Sequence, residues 1–244
     1  MNRKTEAPSL YLSLPQTCSY LQDLQSQILF LDPDQAVNPA MYDKLLGLGF
    51  RRSGKLVYRP HCPHCGGCIP VRISIAEFRP SRGQRRTLAK NRDLHIRVVE
   101  PYFDDTVFSL YGKYQNRRHQ GAGMDNPRPE TFTDFLVATP VDTRFVEFRE
   151  PGTGRLLAVA VADLQPTSLS AVYTFFDPDQ SRRGLGTLAI LWQVEYARKN
   201  GLEWLYLGYW IENSPKMSYK QNFQPLQTLS ADGQWHLMSE ESDN

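Results

Sequence analysis

Long apolar runs are missing from this 244-residue chain. The longest, Leu156 to Ala162, has the length of a strand and falls well short of the ~20 residues that a membrane-spanning helix needs. Cysteine is scarce too. Three of the four cysteines crowd between Cys62 and Cys68, which is not the framework of a disulfide-stapled extracellular domain. Behind the charged start Met1 to Pro8 comes no apolar segment of the kind a secretory leader carries, so the expected location is the cytoplasm, away from membranes. Repeats are absent, and the only low-complexity stretch is the polar tail from Ser239 to Asn244.

Acidic residues are few in the first part of the chain. Residues 1–100 carry 15 Lys+Arg against 8 Asp+Glu, whereas residues 101–244 carry 13 against 18, so net charges of +7 and −5 hide inside the overall +2. That asymmetry points to two units with different partners, and the length suits two modest cores better than one. The expected boundary follows Glu100-Pro101, giving units of residues 1–103 and 104–244.

What is present is organised around Ala171 to Phe223. Ala171 to Phe176 is β-branched and aromatic and reads as a buried strand, which Asp177-Pro178-Asp179 ends. A helix from Thr187 to Lys199 is entered through Gly184 and Gly186, which leaves its first N–H groups free for an anion or a carbonyl oxygen. Glu203 to Leu207 is the next strand. Ser214 and Pro215 then read as the N-cap and first residue of a helix. Upstream, Asn38-Pro39 opens a short helix, Leu56 to Arg59 and Val71 to Ile75 read as strands, and Ser81 caps a helix across Gln84 to Asp93. Asp104 or Asp105 caps another helix through Tyr114 that ends at Arg117-Arg118-His119, and a shorter one covers Glu130 to Ala138. Arg144 to Arg149, a Pro151-Gly152-Thr153-Gly154 turn and Leu156 to Asp163 form a hairpin pattern.

Four features carry candidate chemistry. Cys62-Pro63-His64-Cys65-Gly66-Gly67-Cys68 spaces three thiols as zinc or an iron–sulfur cluster would use them; reduced thiols in a tight loop are the competing reading. Between residues 79 and 97, seven cations (Arg79, Arg82, Arg85, Arg86, Lys90, Arg92, Arg97) are opposed by Asp93 alone, which favours a phosphate or carboxylate partner as much as a solvated face. Arg118 and His119 close a helix beside a glycine loop. Tyr209 to Lys220 joins a strand end to a helix, where α/β folds collect catalytic groups, although aromatics there also serve cores.

Two resemblances follow from these residues. Arg183-Gly184-Leu185-Gly186 after a central strand, with Asn213, Tyr219 and Phe223 behind it, resembles the GNAT acetyltransferases. Cys18-Ser19-Tyr20, Gly49 to Gly54, Tyr58 to Cys65, Phe78 to Arg86 and Ser214 to Lys220 resemble the aminoacyl-tRNA–protein transferases, most closely the bacterial branch, from about Leu12 to Trp235. The resemblance implies an α+β chain: a smaller α+β N-terminal family domain and a GNAT-like C-terminal domain with a mostly antiparallel sheet and flanking helices. It implies transfer of leucine from leucyl-tRNA onto proteins beginning with Asp or Glu, marking them for degradation. Eukaryotic arginyl-transferring relatives carry Cys-Gly-Tyr-Cys where this chain has Cys18-Ser19-Tyr20-Leu21, so their metal cluster does not carry over with the motif.

An aminoacyl ester is already activated, so such chemistry needs proximity, oxyanion donors and proton handling, and requires no cofactor. The expected donor-end site is the backbone at Gly184 and Gly186 with Arg182, Arg183, Arg118 and His119. Glu212 is the expected proton acceptor and Tyr219 the proton donor to the departing ribose oxygen. Arg51, Arg52, Arg79, Arg85 and Arg86 are the pool for gripping the acidic acceptor or tRNA, and Cys62, Cys65 and Cys68 are the metal candidates. Arginyl transfer, an acetyl-CoA-dependent acetyltransferase and a non-catalytic degron- or RNA-binding module remain as alternatives.

Overall fold

The computed structural model describes residues 8–21, 23–118, 126–212 and 214–238. The expectations for His119, for the loop after it, for Asn213 and for the tail lie outside these residues. Two sheets dominate. The small one has the order β1-β4-β6-β5, from β1 (Leu10–Leu12), β4 (Ile28–Leu31), β5 (Arg51–Ser53) and β6 (Leu56–Pro60), and a short β2 (Gln16–Thr17)/β3 (Gln25–Ser26) ladder lies beside it in sequence. Helix α1 (Pro39–Gly47) starts where Asn38-Pro39 predicts, with the Asn38 side chain accepting from the Met41 N–H and Pro39 at its first position. Its Tyr42, Leu45 and Leu46 pack with Leu31, Phe50 and Val57 into the core of this unit.

The large sheet has eight strands in the order β14-β13-β7-β12-β11-β10-β9-β8. It is built from β7 (Ile69–Ser74), β8 (His95–Val99), β9 (Thr143–Arg149), β10 (Leu156–Leu164), β11 (Ser168–Phe176), β12 (Trp204–Trp210), β13 (Leu226–Leu229) and β14 (Trp235–Leu237). Every pairing is antiparallel except β11 with β12. The expected mixed α+β class with a mostly antiparallel sheet and flanking helices is what the chain adopts. The division at residue 103 does not follow the sheets, however. β7 lies between β13 and β12, and β8 pairs with β9, so strands on both sides of that division share one sheet.

The apolar run in β10 explains the layering. Val159 and Val161 point to one face, where they meet Val107, Leu110 and Tyr111 of α3 (Asp105–Arg118) together with Phe145 and Phe175. Ala158 and Ala160 point to the other and meet Leu185, Leu188 and Ala189 of α5 (Leu185–Lys199) with Val146 and Phe148. A strand covered on both faces needs apolar residues at every position, and each large side chain so buried contributes roughly 1.5–3 kcal/mol. Helix α2 (Arg82–Lys90) is held by a capping box, Ser81 and Gln84 each accepting from the other's backbone N–H, and packs on α5. Residues 130–138 form α4 (Pro129–Phe132) and a π turn, Thr133–Val137, rather than one helix. The helix expected from Ser214 is a turn followed by a short 3-10 segment, Ser218–Asn222, because Phe223 is buried in the core and the chain passes within a few residues into β13.

Candidate active site

The one parallel pair in the large sheet is also its weak seam. β11 and β12 are in register at Ser168, Leu169 and Ser170 against Trp204, Leu205 and Tyr206, and part beyond that. Arg51 of the small sheet stands where they diverge. Its Nη2 donates to the Ala171 carbonyl on β11 at 2.5 Å and its Nη1 to the Tyr206 carbonyl on β12 at 3.4 Å, so the guanidinium caps two strand acceptors that would otherwise lose their ladder partners. β12 yields locally: its pairing with β7 shifts register between Tyr206 and Gly208. Gly208 has φ +81°, a conformation side chains resist, and a Cβ there would lie 3.5 Å from the Arg51 guanidinium. The result is a crevice opening between two diverging strands, with Arg51 at its closed end.

The crevice is lined by groups from four elements. Tyr173 of β11 lies 6.3 Å from Tyr114 of α3 between ring centroids, and Phe176 lies 4.9 Å from Tyr114. Tyr219 exposes 43% of its surface, its ring lies 5.8 Å from Lys220 Nζ, and its hydroxyl feels the charges of Arg51 and Arg118. Desolvation pushes the phenol up to about 12, with Tyr114 adding to the rise and Arg51 and Arg118 opposing it. Lys220 is 4% exposed; its Nζ donates to the Tyr209 carbonyl and to Met217 Sδ, the latter at 3.4 Å. Burial, reinforced by the Arg51 charge and opposed by Cys68, lowers this amine to about 7.

At the open end stands the glycine turn. Asp177 accepts from the Asp179 N–H, a 3-10 segment runs from Pro178 to Arg183, and Gly184 takes the left-handed conformation (φ 65°, ψ 43°) that lets α5 begin at Leu185. The Gly184 N–H is committed to the Ser181 carbonyl, so the free donors are those of the first turn of α5 itself. A Cβ on Gly186 would lie 3.3 Å from the Phe176 ring. From Ala171 to Phe176 the strand runs roughly 17 Å, which sets the distance from Arg51 to the turn.

Basic helix α2 is latched to the same turn. Lys90 Nζ donates to the Arg182 carbonyl and Asn91 Nδ2 to the Arg183 carbonyl, each at 2.8 Å. Arg183 pairs with Asp93 through two bonds of 3.0 and 2.9 Å. Asp93, the sole acid of the 79–97 run, is thereby spent on the turn. Arg79, Arg82, Arg85, Arg86 and Arg92 are exposed and form no ion pair among the described residues. Arg79 and Arg85 donate only to backbone carbonyls, those of Ala76 and Phe78 and that of Pro80.

The sequence-predicted residues therefore divide. Arg51 stands at the seam, Gly186 packs by Phe176 at the turn, and Tyr219 lies within electrostatic reach of Arg51 and Arg118, while Arg182, Arg79, Arg85 and Arg86 lie on the exposed basic side. Arg52 is a correction. Its side chain and that of Asp163 are both 0% exposed, joined by Nε–Oδ2 and Nη2–Oδ1 bonds of 2.8 Å, and Tyr42 and Thr143 also donate to Asp163. Next to Arg51 on a strand, Arg52 points to the opposite side, into the interior, and grips neither acceptor nor tRNA. Arg183 is likewise engaged by Asp93 rather than held free for the donor end. Glu212 is exposed on the turn after β12. Sequence reasoning missed Lys220 as a site residue, because a lysine between Tyr219 and Gln221 carries no mark of burial.

The cysteine loop does not fit a metal as arranged. Cys18, Cys62 and Cys65 are near enough to Cys68 to raise its thiol, after burial, to about 11. Yet Cys62 Sγ donates to the Gln27 carbonyl at 3.6 Å, and among the described residues no three His, Cys, Asp or Glu side chains are grouped to hold an ion. No step below uses one.

Comparison with known proteins identifies the family. Residues 16–86 match the arginine-tRNA-protein transferase N-terminus and residues 106–230 the C-terminus of the same family. The chain belongs to that family of aminoacyl-tRNA–protein transferases. It is 48% identical over 219 residues to the aspartate/glutamate leucyltransferase of Pseudomonas fluorescens, covering 90% of this chain and 92% of that one. Likewise it is 48% identical to the proteins of that name in Stenotrophomonas maltophilia (93% and 91% covered) and Alcanivorax borkumensis (93% of each). Solved structures of similar course include FemX (TM-score 0.48, 9% identity, 79% of this chain and 77% of that one). Another is the C-terminal domain of a lysylphosphatidylglycerol synthetase from Agrobacterium fabrum (TM-score 0.44, 15% identity, 71% and 52%). Both are too distant to bear on function.

Proposed function

We propose that this protein transfers leucine from leucyl-tRNA to the N-terminal α-amine of proteins that begin with Asp or Glu. The observation that carries the reading is the joining, at the glycine turn, of an unpaired basic helix and the crevice between β11 and β12. The exposed cations of α2 and Arg182 suit the phosphates of a tRNA, and the crevice suits its aminoacylated end. The relatives' shared name, aspartate/glutamate leucyltransferase, supports leucine and an acidic acceptor.

In the reaction the acceptor's α-ammonium loses a proton, its amine attacks the ester carbonyl, and the tetrahedral oxyanion collapses. The nitrogen gives up its second proton, an amide forms as the bond to the ribose oxygen breaks, and that oxygen takes up a proton. Free N–H groups at the start of α5, at Leu185 and Gly186, are suited to stabilise an oxyanion or a terminal phosphate. Tyr219, whose phenol stays protonated throughout the neutral range, is suited to protonate the leaving oxygen. Glu212, exposed on the turn after β12, is the proposed acceptor of the ammonium proton.

The test mixes purified protein, an Asp-initiated peptide and tRNA charged separately with leucine, arginine or phenylalanine, and reads the peptide mass. A leucine-sized gain from leucyl-tRNA alone is the expected result. An arginine-sized gain would reassign the donor, as the name of the matched family allows. Acetylation from acetyl-CoA with no response to any charged tRNA would replace the reading.

A further inference from the structure

Arg51 and Lys220 are two buried basic side chains with no anion beside them among the described residues. Arg51 is 9% exposed and Lys220 4%, and they flank the same short piece of β12. Arg51 donates to the Tyr206 carbonyl and lies against Gly208, while Lys220 donates to the Tyr209 carbonyl. All their polar contacts are to neutral atoms: two backbone carbonyls for Arg51, one carbonyl and the Met217 sulfur for Lys220. Neither forms an ion pair with any Asp or Glu among the described residues. The contrast lies one residue away, where Arg52, equally buried, is neutralised by Asp163. Out of water and beside the Arg51 charge, the Lys220 amine holds its proton weakly, and an anion seated between the two groups would favour the fully charged pair.

We propose that Arg51 and Lys220 form the pocket for the side-chain carboxylate of the acceptor's first residue, with Lys220 as a specificity-determining residue of the transfer. The inference rests on the function proposed above and deepens it. A carboxylate fits better than a nucleic-acid phosphate, because the pair lies at the closed end of the crevice whereas the exposed cations of α2 lie outside it. A carboxylate anchored between the two cations leaves the α-amine of the same residue only a few bonds away, toward the Tyr219 hydroxyl, whose surroundings include Arg51. An arginine supplies a planar fork and a lysine a single point charge, a combination able to accept either Asp or Glu.

The experiment compares Asp-initiated peptides with their neutral isosteres, Asn-initiated ones, using wild type, Lys220→Met and Lys220→Arg. Wild type is expected to prefer the Asp peptide by at least about 100-fold in kcat/KM. Lys220→Met should raise KM for the Asp peptide roughly 30-fold, collapse the Asp/Asn preference, and leave the Kd for leucyl-tRNA within about twofold. Lys220→Arg should restore part of the preference, which a purely structural role would not do. Thermal melting checks folding, and Lys220→Gln replaces Lys220→Met if the latter melts early. An Asp/Asn preference that survives in Lys220→Met, or a loss of tRNA affinity in its place, overturns the proposal. Anisotropy with labelled peptides reads the same preference without transfer. Absence of transfer by wild type from any charged tRNA therefore counts against the proposed reaction, and absence of Asp-over-Asn binding against the pocket.

Discussion

Two adjacent arginines on one strand end in different surroundings, one at a seam between strands and the other in a buried ion pair. β5 alternates sides, so Arg51 reaches the seam between β11 and β12 while Arg52 goes to Asp163. Nothing in Arg51-Arg52-Ser53 states which arginine goes where, because the choice depends on a partner more than a hundred residues away. Breaking a pair with 0% exposure on both sides leaves a buried charge. Arg52→Ala should therefore lower stability by about 3–5 kcal/mol in urea unfolding, while tRNA affinity stays as in wild type. Replacing both partners with apolar residues, Arg52→Met with Asp163→Leu, should recover much of that loss. A small stability change accompanied by weakened tRNA binding would instead return Arg52 to the substrate-binding group.

At the scale of elements, α2 is the clearest case of charge left uncompensated. Charge reversal at Arg82 and Arg86 should weaken leucyl-tRNA binding and reduce the slope of log affinity against log salt by about one for each phosphate no longer neutralised, with peptide KM unchanged. A reversal series along residues 79–97 that left tRNA affinity intact would move the tRNA to another surface. Much of this scale was legible in the sequence. The capped starts of α1 and α2, the β9–β10 hairpin and the glycine entry to α5 all rest on local chemistry, where a cap or a turn residue speaks for itself. The segment after Ser214 was not. Its Ser-Pro signal starts a turn, but Phe223 anchors in the core with Phe78, and that long-range tie leaves no room for a full helix. The parting of β11 from β12 was equally hidden, since it depends on Arg51 arriving from another sheet.

At the scale of the whole molecule, the N-terminal unit is not a separate body tethered to a catalytic one. Asp43 accepts from Thr167 and Ser168 at the start of β11, Tyr209 donates to the Gly49 carbonyl at 2.9 Å, and Arg51 caps the seam, so the small sheet braces the crevice. β7 and β8 likewise join the large sheet through their own ladders, despite the charge asymmetry that marks the two halves. The central claim is that the aminoacylated end of tRNA enters the crevice between β11 and β12. The most direct test is amide hydrogen exchange with a non-hydrolysable leucyl-aminoadenosine, the amide analogue of the donor terminus. The expected result is protection confined to residues 171–176, residues 206–210 and the first turn of α5. Protection confined to other surfaces, with these three segments exchanging as in the free protein, would contradict the account.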